Sequence, residues 1–342
     1  MILAFVLAAA VALGVAAGVA VLIARNASRL GLLDVPNERS SHPSSIPRGG
    51  GAGIVAGVAA GMAVLWAFGI QPGRDLGILV AGAGVIAVLG AIDDLYSIRA
   101  RYRLAVQVLV AVAVVALIGD VKRLPLPPPF DIGLGWLGAP FAVVWLVAIT
   151  NFYNFMDGID GLAAGQTIGS CAGVAIAVWS AGALELALVL AAATIGFLLL
   201  NLPPARLFLG DIGSTSLGFA IAGLPLLAPT DQRPAALFGV GIGLALFILD
   251  PLETLVRRLR AGERLGTAHR GHSYQLLAST RERQPVVALA IVLAGLALSI
   301  GGGFAYRAQW LAWPLVAVAL VAFGVERFLA GRTGGVAPRV SR

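Results

Sequence analysis

Long apolar runs, separated by short polar connections, constrain the fold of this chain more than any other feature of its sequence. Each run approaches the roughly 20 apolar residues that a membrane-spanning helix requires. Because 59% of the residues are hydrophobic and only 12% are charged, a soluble fold and a disordered chain are both excluded. We expect an all-α polytopic membrane protein, one domain over residues 1–342. The eleven runs occupy residues 1–24, 52–70, 76–92, 104–119, 134–150, 162–180, 183–202, 214–228, 234–249, 285–304 and 309–325.

Eleven transmembrane helices are therefore expected, or ten if the short eighth and ninth runs are wrongly divided. The basic residues orient them. Of the 24 lysines and arginines, 19 lie in the C-terminal tail or in connections that follow odd-numbered runs. The positive-inside rule then places the N-terminus outside and the C-terminus in the cytoplasm. It also makes five connections cytoplasmic, namely residues 25–50, 93–103, 151–161, 203–213 and 250–284.

The net charge of +7 would suggest nucleic-acid binding in a soluble protein. In a membrane protein, arginines that flank the spans and face anionic lipid explain it better. We therefore expect membrane lipids, and no nucleic acid, as partners. The glycine- and alanine-rich spans would pack well within one chain or between two, which leaves a homodimer as an open alternative.

Two of the cytoplasmic connections carry aspartates that topology does not explain. Asp93 and Asp94 directly end the third run, where adjacent like charges repel and lose hydration. Asp157 and Asp160 continue a three-residue spacing from Asn154, which on a helix would place all three on one face. In the structural interpretation, Asp93 and Asp94 are a hydrated pair that ends a helix, while Asp157 and Asp160 lie in a solvated turn. The functional one is a site that holds a cation or a proton.

A third aspartate motif precedes the eighth run. Asp211 lies between glycines, with Ser214 and Thr215 at the expected helix start. This pattern suits either an N-cap region or an oxygen ligand for a hard cation. Five aspartates from three connections thus fall on one side of the membrane. Oxygen ligands without cysteine favour Mg²⁺, with Mn²⁺ as the alternative, over zinc.

The fifth cytoplasmic connection supplies positive charge. It contains a histidine-arginine-histidine triplet, His269, Arg270 and His272. Arginine binds phosphate oxygens bidentately and histidine donates or shuttles protons, so the triplet suits a phosphate. A basic, lipid-facing loop would explain the arginines but not the histidines. Before the triplet lies an apolar stripe formed by Leu252, Leu255, Val256 and Leu259. This stripe predicts an interfacial amphipathic helix.

Two further basic motifs have equally good structural interpretations. Arg48 precedes three glycines in the first connection, which suits an anion-binding nest or a flexible entry to the second span. Arg101 and Arg103 follow the aspartate pair. They are either ordinary flanking arginines or a binding site for a lipid phosphate at the interface.

Two other classes of membrane protein compete with an enzyme. A transporter of a cation or an anionic solute predicts charges near mid-span and internal repeats. Here every charge falls at the end of a run or in a connection, and no strong repeat is evident. A structural or assembly protein would leave the three aspartate motifs unexplained.

Four stretches together resemble the polyprenyl-phosphate N-acetylhexosamine-1-phosphate transferase superfamily, of the glycosyltransferase family 4 type. The resemblance implies transfer of a sugar 1-phosphate from a UDP-sugar to undecaprenyl phosphate, with release of UMP. It also implies Mg²⁺ dependence, a bacterial inner membrane and an active site built from cytoplasmic loops. The stretches, in the family's order and spacing, are DVPNERSSHPSSIPRGGG, AIDDLYSIRARYRLAVQ, NFYNFMDGIDGL and NLPPARLFLGDIGSTSLGF.

A fifth stretch, HRGHSYQ, differs from the His-rich signature of the muramyl-pentapeptide transferases. It resembles instead the branch that initiates O-antigen and other surface-glycan lipids. The lysine that some relatives carry before the glycine-rich stretch is missing, and His42 and Arg48 are the nearest polar candidates. The resemblance leaves open both a direct attack by the lipid phosphate and a covalent aspartyl-phosphate step.

The resemblance further implies a role for each matching residue. The metal ligands would be Asp211 and Asp94. The residues at the reaction centre would be Asp93, Asp94, Asp157, His269 and His272. The substrate contacts would be Asn154, Asp160, Asn201, Phe208, Arg270, Arg101, Arg103, His42 and Arg48. Among these, Asp160, Asn201 and Phe208 are matched to uridine contacts, and Arg101 and Arg103 to the lipid phosphate.

Overall fold

The computed structural model describes residues 1–34, 45–263 and 271–333, apart from positions 125, 127–129, 131 and 281. The regular structure in this part of the chain is mainly helical, with a short antiparallel ribbon of β1 (Leu33–Asp34) and β2 (Ile46–Pro47) and an isolated bridge between Arg123 and Gly133. The helices are α1 (Ile2–Leu30), α2 (Gly51–Ala67), α3 (Arg74–Tyr96), α4 (Ala100–Ile118), α5 (Gly138–Met156), α6 (Leu162–Ala177), α7 (Ala181–Asn201), α8 (Gly210–Gly223), α9 (Arg233–Gly243), α10 (Ala245–Arg260), α11 (Ser273–Leu277), α12 (Gln284–Arg307) and α13 (Ala312–Thr333).

Each of the eleven predicted runs overlaps a helix. Within the described residues, eight helical segments are long and apolar enough to cross a membrane, and the bent pair of α9 and α10 makes a ninth if it counts as one span. Helices α2 and α6 are apolar but shorter. The expectation of an all-helical, multi-pass membrane protein is confirmed, while the count of eleven spans stays a prediction.

The predicted ninth span over residues 234–249 is wrong as a continuous helix. The chain bends by 74° between α9 and α10, and Leu244 joins them with φ −94° and ψ 12°. Gly239, Gly241 and Gly243 lower the helix propensity just before the bend. The last residues of the predicted span therefore belong to α10, which continues into the arginine-rich segment and carries its apolar stripe on a partly exposed face.

Helix α8 is the centre of the bundle. In its candidate span 78% of the residues are buried, the largest share among the eight. Glycines let the neighbouring helices approach its backbone closely. A Cβ at Gly90 of α3 would lie 2.4 Å from the carbonyl oxygen of Asp211, and a Cβ at Gly218 would lie 2.7 Å from the Cβ of Tyr153 in α5. The start of α8 is thereby held against α3, and its middle against α5.

Gly90→Ala tests this close approach. Because the added methyl group meets backbone, α3 and α8 must separate, and we expect a loss of about 1–3 kcal/mol of stability. The measurement is thermal unfolding in detergent. Gly84→Ala in the same helix is the matched control, because nothing lies within 4 Å of a Cβ there. Equal melting temperatures for the two variants would contradict the packing described.

Candidate active site

The aspartate pair at the end of α3 lies inside the helix rather than after it. Asp93 and Asp94 are 6% and 5% exposed, and α3 continues to Tyr96. The Asp94 carboxylate accepts hydrogen bonds from the backbone N–H groups of Asp211 at 3.0 Å and Ile212 at 3.1 Å. It thus caps the N-terminus of α8, where the unpaired N–H groups favour a negative charge.

Arg103 joins two of the predicted acids. Its Nη1 lies 2.9 Å from Asp211 Oδ2 and also donates to Asp93 Oδ2. The second oxygen of Asp93 accepts the backbone N–H of Ile98. One guanidinium therefore ties the end of α3 to the start of α8.

Asn154, near the end of α5, is a further residue that contacts Asp211. Its Nδ2 donates to Asp211 Oδ1 at 2.7 Å and to Ser214 Oγ at 2.8 Å. Asp211 was expected in a loop, but α8 begins at Gly210 and includes it in the first turn. The helix starts earlier than predicted because Asp94, distant in sequence, satisfies its first N–H groups.

Asp157 lies beside this cluster. Helix α5 ends at Met156, so the expectation that Asn154, Asp157 and Asp160 share one helical face is wrong. Burial, together with the charges of Asp211, Asp94 and Asp160, raises the pKa of the Asp157 carboxyl well above its ordinary value. No hydrogen bond or ion pair to this carboxyl is found in the described part of the chain. The cluster therefore has an excess of acidic groups.

Asp160 and Asn201 hold two connections together. Asp160 Oδ2 accepts the backbone N–H of Ala205 at 2.9 Å. Asn201 Oδ1 accepts the N–H of Gly161 at 3.0 Å, and its Nδ2 donates to the carbonyl of Leu207 at 3.0 Å. These bonds fix the connection that leads to Phe208 and α8. Contact of these residues with a uridine stays a prediction.

The glycine-rich first connection packs on the residues before α8. The N–H groups of Gly50 and Gly51 donate to the carbonyls of Phe208 at 2.9 Å and Leu209 at 2.8 Å. The expectation of an anion nest therefore fails for these two N–H groups, because they are already paired with carbonyls. Arg48 donates to the backbone carbonyl of Asp94, which places this predicted residue at the cluster.

The remaining predicted residues divide into two groups. Arg101 is exposed and lies over the ring of Tyr102, 4.8 Å from its centroid, and no contact between it and the aspartate cluster is found among the described residues. The structure thus separates Arg101 from Arg103, although the resemblance paired them. His42, His269 and Arg270 lie outside the described residues.

His272 is buried at the start of α11, and it reveals a residue that the sequence analysis missed. Its Nδ1 lies 3.3 Å from Oδ1 of Asp250, which is completely buried in α10. Asp250 was taken as the first residue of a loop because the predicted ninth span ended at Leu249. An acid directly after an apolar run was the available signal.

The donor set of the cluster suits a hard cation. Carboxylates and an amide oxygen are the ligands that Mg²⁺ prefers. Four aspartates and Asn154 lie together here, and the basic side chains Arg103 and Arg48 contact them. No three acidic or histidine side chains within the described ranges are already arranged around a common metal position. The cluster thus fits a divalent cation in chemistry and charge, and Mg²⁺ remains an expectation.

Comparison with known proteins shows which family this chain belongs to. The family model for glycosyl transferase family 4 matches residues 76–228. The chain is 34% identical over 288 residues, 82% of its length and 78% of the relative's, to a probable undecaprenyl-phosphate N-acetylglucosaminyl 1-phosphate transferase of Bacillus subtilis strain 168. The chain belongs to glycosyl transferase family 4. The region matched to the family 4 model contains Asp94, Asp157 and Asp211, whereas Asp250 and His272 follow it.

Two further relatives extend over more of this family 4 chain. The undecaprenyl-phosphate alpha-N-acetylglucosaminyl 1-phosphate transferase of Yersinia pestis is 30% identical over 324 residues, 89% of the chain and 86% of the relative. The protein of the same name from Escherichia coli strain K12 is 30% identical over 334 residues, 92% and 88% of the two lengths. Both similarities therefore cover most of each chain.

Arg103→Gln tests the role of the bridging guanidinium. The variant leaves Asp93 and Asp211 without their shared positive partner, so we expect a loss of about 1.5–3 kcal/mol, the range for hydrogen bonds to charged groups. Arg101→Gln removes the same charge two residues away from an exposed position, and its stability should stay within about 0.5 kcal/mol of the wild type. Thermal unfolding in detergent measures both. Equal destabilisation would show that Arg103 does not hold the cluster together.

Proposed function

We propose that this protein transfers N-acetylglucosamine 1-phosphate from UDP-N-acetylglucosamine to undecaprenyl phosphate, releasing UMP. The reaction would start the synthesis of a cell-surface glycan at the cytoplasmic side of a bacterial plasma membrane. The observation that carries the proposal is the acidic cluster of Asp93, Asp94, Asp157 and Asp211, which the end of α3, the residue after α5 and the first turn of α8 bring together at one end of a membrane bundle. The names of relatives that align over most of the chain supply undecaprenyl phosphate and N-acetylglucosamine 1-phosphate, and the family resemblance supplies the UDP donor.

A transporter is the weaker candidate. It would need polar groups along a path between both sides of the membrane. The acids of the cluster instead lie at the last turn of α3, the end of α5 and the first turn of α8. A site at one end of the bundle suits an enzyme that joins a soluble nucleotide sugar to a membrane lipid.

The reaction we propose is a direct displacement. An oxygen of the lipid phosphate attacks the phosphorus that carries the sugar, a new P–O bond forms, and the bond to the UMP oxygen breaks. Such a transfer needs alignment of the reactants and stabilisation of negative charge more than covalent participation by the protein. A bound Mg²⁺ would supply charge neutralisation at the donor diphosphate.

The residues of the chain would divide this work. Asp211 and Asp157 would hold the cation, and Asp94 could join them because each of its oxygens retains a lone pair beyond its N–H bond. Arg103 would keep Asp93 and Asp211 in place and present positive charge to the lipid phosphate. Asn154 would orient Asp211, and Asp93 would position the attacking phosphate. The loop that contains His272 would bind the donor and the departing UMP.

Asp211→Asn tests the proposed metal role. With purified protein, undecaprenyl phosphate, UDP-N-acetylglucosamine and Mg²⁺, the wild type should release UMP, and EDTA should stop the reaction. The variant keeps the side-chain shape but loses the charge, so we expect a rate about 100- to 1,000-fold lower, as when one transition-state contact is removed. Asp75→Asn, at the other end of α3, is the control that should remain active.

Near-normal turnover by Asp211→Asn at saturating Mg²⁺ would remove Asp211 from the metal site. A wild-type protein that releases no UMP from any member of a UDP-sugar panel would overturn the proposed function. Release from another UDP-N-acetylhexosamine alone would keep the reaction class and change the sugar.

A further inference from the structure

A second buried network surrounds Asp250, outside the aspartate cluster. The Asp250 carboxylate accepts four hydrogen bonds. Its Oδ1 accepts hydrogen bonds from His272 Nδ1 at 3.3 Å, the backbone N–H of Ser273 at 3.0 Å and Thr254 Oγ1 at 3.2 Å. Its Oδ2 accepts one from the backbone N–H of Tyr274 at 3.1 Å. Asp250 and Thr254 are both 0% exposed. An ionised carboxylate buried this deeply is tolerated because every bond to it comes from a donor.

The bonds to Asp250 determine how the imidazole is placed. A carboxylate can only accept, so Nδ1 of His272 is the donor in this pair. A carboxylate partner of this kind fixes both the tautomer and the ring orientation of a histidine. The adjacent bonds to Ser273 and Tyr274 fix the backbone on which the ring stands.

Arginines of α10 and α13 also hold this short segment. From α10, Arg257 donates to the carbonyl of Gly271. From α13, Arg327 Nη1 lies 3.2 Å from Ser273 Oγ, while its Nη2 lies 3.2 Å from Oε1 of Glu253. Glu326, the residue before Arg327, is also buried and adjoins Asp250. The C-terminal helix thus supports the segment that carries His272.

Tyr274 connects this network to the aspartate cluster. Its hydroxyl donates to the carbonyl of Phe155 at 2.8 Å, two residues before Asp157. Burial and the charges of Asp250 and Asp157 raise the pKa of the Tyr274 phenol well above its ordinary value, so it remains a donor. A Cβ at Gly158 would lie only 2.2 Å from this hydroxyl. The hydrogen bond from Tyr274 to Phe155 and the close approach at Gly158 therefore fix the position of α11 relative to the aspartate cluster.

We propose that Asp250 is a positioning residue that acts through His272, setting the orientation in which this histidine meets the diphosphate of the sugar-nucleotide donor. The inference rests on the proposed function and adds a residue to which neither the sequence motifs nor the family match assigned a role. It predicts that loss of the Asp250 charge impairs use of the donor and not of the lipid.

The test is a double-mutant cycle of Asp250→Asn and His272→Ala, with UMP release measured while each substrate is varied. We expect Asp250→Asn to lower kcat/KM for the UDP-sugar about 10- to 100-fold, the usual cost of removing a partner that orients a functional histidine. The KM for undecaprenyl phosphate should stay unchanged. Because Asp250 acts through His272, the double variant should be no slower than His272→Ala alone.

Asp120→Asn is the matched control, since it makes the same chemical change beyond the far end of α4 and should leave both KM values unchanged. The inference would be overturned if the effects of Asp250→Asn and His272→Ala on the rate multiply in the double variant. It would also be overturned if Asp250→Asn only reduces the number of active molecules and leaves both KM values unaltered, since Asp250 would then have a structural role. If Asp250→Asn does not fold, the same cycle with Thr254→Val decides, because it removes one bond to Asp250 and keeps the side-chain shape. A wild-type protein without UMP release would overturn the proposed function instead.

Discussion

The bond between the Asp94 carboxylate and the first N–H groups of α8 is the interaction on which the rest of the site depends. It joins the end of α3 to the start of the most buried helix of the bundle. Gly90 makes the approach possible, because any side chain there would meet the backbone of Asp211. Once α8 is held in this way, Arg103 and Asn154 can reach Asp211 from two other helices. An apolar bundle therefore presents its few charges as one organised group.

Helix existence and the approximate spans could be predicted from hydrophobicity alone, because a membrane requires long apolar helices. The exact helix ends could not. Asp211 belongs to α8 only because a carboxylate more than a hundred positions earlier caps the helix, and sequence-local rules do not include such a partner. The same holds for Asp157, which leaves the expected helical row because α5 ends one residue before it.

The sequence motifs also named residues without showing which of them meet. Arg101 and Arg103 are two positions apart and chemically identical, yet Arg103 bridges Asp93 and Asp211 and Arg101 lies over an exposed tyrosine ring. Asp250 was missed because the ninth span was predicted to end at Leu249. The chain instead bends at Leu244, and Asp250 lies inside α10 in a buried network. Helix α13, which has no part in the family motifs, supports the His272 segment through Arg327.

The central claim is that Asp94 organises the site by capping α8 as well as by its charge. The most direct measurement is the rate of UMP release per folded molecule for Asp94→Asn, with folding followed by thermal unfolding in detergent. An asparagine can accept one of the two N–H bonds and would direct its amide group at the other. We expect a lower melting temperature and a rate at least about 100-fold below the wild type. Wild-type rate and stability in this variant would contradict it.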